Sequence, residues 1–152
     1  MDKQSITAHW QQLAGKDLGT TDWLLVDQNR IDTFADTTID HQVIHIDPDA
    51  PATRKIGGTI AHGFLSLSLL SYFSAQLTHE HTFKHTVLNY GLNRVRFLNP
   101  VPSGSEVRVH LSVVNVEEKP QGLLATMSAE MEIKDTPKPA FVAEKLILIL
   151  FE

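Results

Sequence analysis

Residues 57–77, GGTIAHGFLSLSLLSYFSAQL, decide the fold. From Phe64 onward, Phe64, Leu65, Leu67, Leu69, Leu70, Phe73 and Leu77 are relieved mainly by serine. These positions cover most of a helical circumference, and a helix apolar nearly all round is a buried one. Gly57, Gly58 and Gly63 loosen or start such a helix rather than sit in its middle, so the helix is expected to begin at Gly63. A single long buried helix must be covered by other elements.

The covering is legible downstream. After residue 83 the apolar period becomes two, and VLNYGLNRVRF, SEVRVHLSVVNVEE, LLATMSAEMEIKD and FVAEKLILILF each read as extended strands. Lys119-Pro120-Gln121-Gly122 is a turn, which makes residues 105–135 an antiparallel hairpin. Pro100, Pro102 and Gly104 separate this hairpin from the strand before it, and Pro137 and Pro139 from the strand after it. Upstream, LLVD at 24–27 reads as a short strand ending on Asp27, a good helix N-cap. Ile31, Phe34 and Ala35 in QNRIDTFADTT then fall at helical spacing, and Asp40 to Asp47 is expected in the loop that follows. The expected class is α+β, a curved antiparallel sheet wrapped around a long central helix. Such a sheet leaves an edge available, which dimerisation would cover.

The totals narrow the function. The 152 residues suit one domain, 1–152, and carry a net charge of -5 with 13 scattered basic residues. Phosphate binding depends on clustered Lys and Arg, so neither nucleic acid nor an anionic membrane is expected as a partner. There is no cysteine, which excludes disulfides, thiolate catalysis and Cys-ligated zinc. No signal-peptide core or membrane span is read, and a cytoplasmic location is expected.

Eight histidines invite a metal reading. His79, His81 and His85 in THEHTFKH occupy a polar stretch that reads as a solvated loop, and the HExxH spacing is absent. No metal is expected. The helix serines lack a nucleophile-elbow pattern, and the glycines lack the phosphate-loop pattern.

TIDHQVIHID at 38–47 is different. Asp40 and His45 within reach of one water form a general acid/base pair, and Val43 and Ile44 between them would anchor the pair at a partly dry cleft. Spacing alone favours an Asx-turn at Asp40 and a semi-buried structural imidazole at His45, because D-x4-H is common by chance. IAHG at 60–63 adds the missing part. A helix starting at Gly63 presents unpaired N–H groups, and glycine lets a ligand approach the backbone closely. That is an oxyanion site, suited to a thioester carbonyl becoming an enolate.

FADTTIDHQVIHIDPDA followed by GGTIAHGFLSLSLL, and then NYGLNRVRFLNPVPSGSEVRV, resembles the MaoC-like dehydratase family, or (R)-specific enoyl-CoA hydratases, in its nodulation protein N-like branch. The resemblance covers nearly the whole chain from about residue 16. It implies a hotdog fold, a homodimer and no cofactor, CoA being part of the substrate. The implied activity is reversible addition of water to a trans-2-enoyl thioester of CoA or acyl-carrier protein. The catalytic residues it maps are Asp40, His45 and the thioester-binding N–H of Gly63. Ser71 corresponds to a helix serine that orients the dyad loop, and His62 to the AHG histidine, here given a structural role. Arg94 and Arg96 share a strand face and are candidates for CoA phosphates.

The chain also departs from the family pattern. Many members carry glycine before the catalytic Asp where this chain has Ile39, so the loop is expected to differ if that glycine needs φ > 0. Gln42-Val43 replaces a frequent Asn-Pro, which makes Gln42 a candidate supporting residue. The Phe-Gly often found before GGTIAHG is also missing. A hotdog thioesterase and a non-catalytic acyl-thioester-binding module are the alternative readings.

Overall fold

The computed structural model describes residues 3–79 and 85–151. Helix α1 (Lys3–Leu13) buries Ile6 and Trp10 and leads into two short strands, β1 (Asp17–Thr20) and β2 (Leu24–Val26). Helix α2 (Gln28–Thr38) follows, then the single turns α3 (Val43–Ile46) and α4 (Pro51–Lys55). Helices α5 (Gly63–Ser68) and α6 (Leu70–Thr78) come next, and then the long strands β3 (Thr86–Phe97), β4 (Ser105–Lys119), β5 (Gly122–Ile133) and β6 (Phe141–Leu150).

The described strands form one antiparallel sheet in the order β1-β4-β5-β6-β3, with β2 also pairing to β4. The two-residue period does the positioning. Val107, Val109, Leu111 and Val113 of β4 point inward beside Ala125, Met127, Ala129 and Met131 of β5, all buried. Their core partners from the helices are Leu65, Leu70 and Phe73. Burial of a ring such as Phe73 stabilises the fold by roughly 1.5–3 kcal/mol. The β4–β5 hairpin closes with Lys119 paired to Gly122, as its Pro-Gln turn predicts. This is the hotdog arrangement, an α+β sheet curved around a helix. No helix among the described residues is long and apolar enough to cross a membrane.

Two expectations are corrected. The central helix is not one uninterrupted rod: α5 and α6 abut at Leu69, where Ser68 Oγ donates to the Leu65 carbonyl at 2.8 Å. A serine bonding back to its own helix competes with the backbone ladder and bends it. Nor is the helix buried all round, because Phe64, Ser68, Ser71 and Tyr72 form an exposed stripe, with Phe64 71% and Tyr72 54% exposed. The second correction concerns the dyad segment. Asp40 does lie in a connection, but His45 is carried by the helical turn α3 and not by a loop. His79 caps α6 in the left-handed conformation, while His81 lies outside the described residues.

Candidate active site

Helix α2 delivers Asp40. Its N-cap is Asp27, whose carboxylate accepts from the Arg30 N–H at 2.9 Å. Its C-cap is Ile39, with φ 60° and ψ 29° and a side chain 83% exposed. Ile39 therefore adopts the left-handed geometry that favours glycine. The side chain points into open solvent, so no neighbour adds to the strain of a β-branched residue in that conformation. The Asp40 N–H closes the cap on the Ala35 carbonyl at 3.1 Å.

The α3 turn is fixed from several sides. Gln28 Nε2 donates to the His45 carbonyl at 2.7 Å, and Thr59 Oγ1 holds the other end of that amide at 2.6 Å. Thr53, fully buried, donates to the Val43 carbonyl at 3.0 Å. The Ile60 N–H reaches the Ile44 carbonyl at 3.0 Å. Gln28, Thr53 and Thr59 escaped the sequence reading, since Gln28 and Thr53 act through backbone carbonyls, and Thr59 through the Gln28 amide, brought near only by folding.

This scaffold determines the state of the imidazole. His45 is 7% exposed, and its Nδ1–H donates to the Ile60 carbonyl at 2.7 Å. A carbonyl only accepts, so Nδ1 carries a proton, and in the Nδ1–H tautomer the lone pair is on Nε2. A ligand-capable oxygen of Asp40 and one ring nitrogen each of His45 and His62 all lie within 4.8 Å of one another. One water molecule can span such a gap between Asp40 and His45 with hydrogen bonds of ordinary length. His45 also lines a cavity of about 360 Å³ together with Gly63, Ser66, Phe97 and Asn99.

His62 is built into both halves of the dyad. It is 3% exposed and stacks on His45 with ring centroids 3.7 Å apart and planes at 24°. Its Nε2–H donates to the Asp40 carbonyl at 2.9 Å, and Phe34 covers it at 5.0 Å. Its Nδ1 is buried without a hydrogen-bond partner. Asp40, His45 and His62 could together offer metal-ligating atoms, but His45 Nδ1 and His62 Nε2 are already hydrogen-bonded to carbonyls.

Gly63 opens α5 behind the N-cap His62, and the first intrahelical bond runs from the Ser66 N–H to the His62 carbonyl. The Gly63 N–H thus has no intrahelical partner. A Cβ at this glycine would approach the Phe97 ring at 3.2 Å. The remaining predicted residues lie elsewhere. Gln42 is the exposed N-cap of α3 and makes no side-chain capping bond. Ser71 does not contact the dyad connection of its own chain, because its hydroxyl donates to Asn89 Oδ1 at 3.2 Å in a separate cavity. Arg94 and Arg96 are exposed on β3 just before Phe97.

The model of the MaoC like domain matches residues 9–132. The 3-hydroxyacyl-thioester dehydratase Z of Mycobacterium tuberculosis (strain ATCC 25618 / H37Rv) is 45% identical over 137 residues, covering 88% of this chain and 89% of its own. Nodulation protein N of Rhizobium leguminosarum bv. viciae is 41% identical over 140 residues, covering 91% and 87%. Among solved structures, the R-hydratase PhaJ1 of Pseudomonas aeruginosa superposes with a TM-score of 0.72 at 24% identity, covering 91% of this chain and 83% of that one. Such a likeness shows the shared fold. The named relatives include a dehydratase and a hydratase, enzymes of the hydro-lyase class. The chain belongs to the MaoC-like dehydratase family of that class.

Proposed function

We propose that the protein is a cytoplasmic, homodimeric (R)-specific enoyl-thioester hydratase, interconverting a trans-2-enoyl thioester and its (R)-3-hydroxyacyl form. The observation that carries this reading is His45, whose Nδ1–H is held by the Ile60 carbonyl, whose ring lines a cavity with Gly63, and one of whose ring nitrogens lies within 4.8 Å of an Asp40 carboxylate oxygen. The name of the 45%-identical relative, a 3-hydroxyacyl-thioester dehydratase, supports the same substrate class.

The geometry suggests the steps. A water molecule held between Asp40 and His45 gives a proton to His45 Nε2 as its oxygen bonds to C3 of the enoyl group. The C2–C3 π electrons move toward the thioester, and the resulting enolate oxygen accepts the Gly63 N–H. The dyad returns a proton to C2, so that one water is added across the double bond. No metal or cofactor is required in this scheme. Whether the thioester is carried by CoA or by acyl-carrier protein, the reacting atoms are the same.

The homodimer is part of the proposal. Strand β3 ends the sheet, is 12 residues long and exposes Leu88, Tyr90 and Leu92. An uncovered edge of that length and character is a pairing template, and a second copy would cover it together with the Phe64–Tyr72 stripe.

The test is the product. Crotonyl-CoA should give (R)-3-hydroxybutyryl-CoA, read by chiral chromatography after hydrolysis. The (S) product would contradict the reading, and release of free CoA from butyryl-CoA in its place would favour a thioesterase.

A further inference from the structure

One serine of the central helices differs from the others. Ser68 Oγ donates to the Leu65 carbonyl at 2.8 Å, Ser71 Oγ to Asn89 Oδ1 at 3.2 Å and Ser74 Oγ to the Ser71 carbonyl at 3.3 Å. Bonding back to a carbonyl one turn earlier is the ordinary way a helix satisfies a serine. Ser66 is 3% exposed, yet its hydroxyl makes no hydrogen bond among the described residues. Unlike His62 Nδ1, which is enclosed without a partner, this oxygen is not sealed off, and the space beside it is the dyad cavity.

Its place on the helix gives the hydroxyl a direction. Side chains of a helix lean toward its N-terminus, and residues three apart lie one above the other. Ser66 comes three residues after Gly63, so its side chain leans over the first turn toward the Gly63 N–H, and both residues line the same cavity. The wall around them is apolar, with Ile60, Phe97, Val101 and Phe141 on it. An apolar residue at position 66 would complete that wall, and a buried hydroxyl without a bond is costly. A hydroxyl kept there is satisfied by an acceptor that enters the cavity. On an enoyl thioester, the acceptor that must reach Gly63 is the carbonyl oxygen. A donor is worth most to the charge building on that oxygen when the surroundings are of low dielectric.

We propose that Ser66 is a further catalytic residue, its hydroxyl the second donor, beside the Gly63 N–H, to the thioester oxygen as it becomes an enolate. The inference rests on the hydratase reading and deepens it. Two donors one helical turn apart hold one oxygen, which also fixes the plane of the thioester against the dyad. Ser66 keeps its proton throughout. Its bond strengthens as charge gathers on the oxygen and weakens again when C2 is protonated.

Kinetics and one spectrum test this. Ser66→Ala should lower kcat on crotonyl-CoA by about 10²-fold with KM little changed, because the donor acts more on the enolate than on the ground-state carbonyl. Ser66→Cys keeps the size with only a weak donor and should lose nearly as much, whereas Ser66→Thr keeps the hydroxyl and should retain most of the rate. A packing defect would follow size in place of donor strength. The carbonyl stretch of carbonyl-labelled butyryl-CoA, a saturated ester that cannot be hydrated, should fall in frequency on binding to wild type and fall less in Ser66→Ala. Wild-type kcat in Ser66→Ala, or the same bound stretch in both proteins, would overturn the inference while leaving an active hydratase standing. A Ser66-dependent stretch in a wild type that hydrates no enoyl-CoA would keep the hydroxyl as a thioester donor and remove the hydratase.

Discussion

At the residue scale, His62 is the side chain that bridges the two groups of the proposed dyad. Its ring stacks on His45, and its N–H holds the carbonyl of Asp40, so it fixes the separation of the pair. His62→Phe keeps a flat ring but loses the bond to Asp40. Small misplacements of reacting groups are costly, and kcat is expected to fall by about 10²-fold with KM little changed. Steady-state kinetics with a preserved melting temperature would check this, and a matching rise in KM would point to lost substrate binding instead. Ile39 carries a different cost. A left-handed β-branched residue is strained, and glycine relieves that strain at some expense of unfolded-chain entropy, so Ile39→Gly should stabilise the protein by about 1 kcal/mol in urea unfolding. That Asp40, His45 and Gly63 would gather in one region was readable in the sequence because motif order carries them. The clamp by His62 was not, since the stacking depends on how α5 meets α3.

At the element scale, strands were the most legible part. Their two-residue period is local, and the expected runs at 87–97, 105–118, 123–135 and 141–151 match β3 to β6 within a few residues. Strand β1, only Asp17–Thr20, was missed because four residues carry too little pattern. It is held by side chains as much as by its ladder. The Gly19 N–H, donating at 2.8 Å, and then His110 at 2.7 Å hold the Asp17 carboxyl below the usual carboxylate range. A depressed folded pKa gives stability that is present above the unfolded value and is lost as pH falls through the folded one. Asp17→Asn should therefore lower the melting temperature slightly near neutral pH, with the difference shrinking in acid below about pH 4. Added salt should weaken the effect, because the pair is exposed. The break at Leu69 and the exposed helix stripe were illegible for a related reason: periodicity reports which residues are apolar, not which of them the chain itself buries.

At the scale of the whole molecule, one sheet edge is short and the other is long. Strands β1 and β2 end one side in brief pairings, whereas β3 offers 12 residues with apolar side chains outward. Charges on such an edge block pairing. Leu88→Glu with Tyr90→Glu should convert the dimer to a monomer in sedimentation, with the fold retained by circular dichroism, and an unchanged mass would remove β3 as the interface. The dyad, however, is the centre of the account, and loss of enoyl-thioester absorbance tests it most directly. Wild type, Asp40→Asn and His45→Gln would be compared on crotonyl-CoA and one longer-chain enoyl-CoA. The account predicts turnover by wild type, abolished in both folded variants. Undiminished turnover in either variant, or none in a folded wild-type dimer that still binds CoA esters, would contradict it.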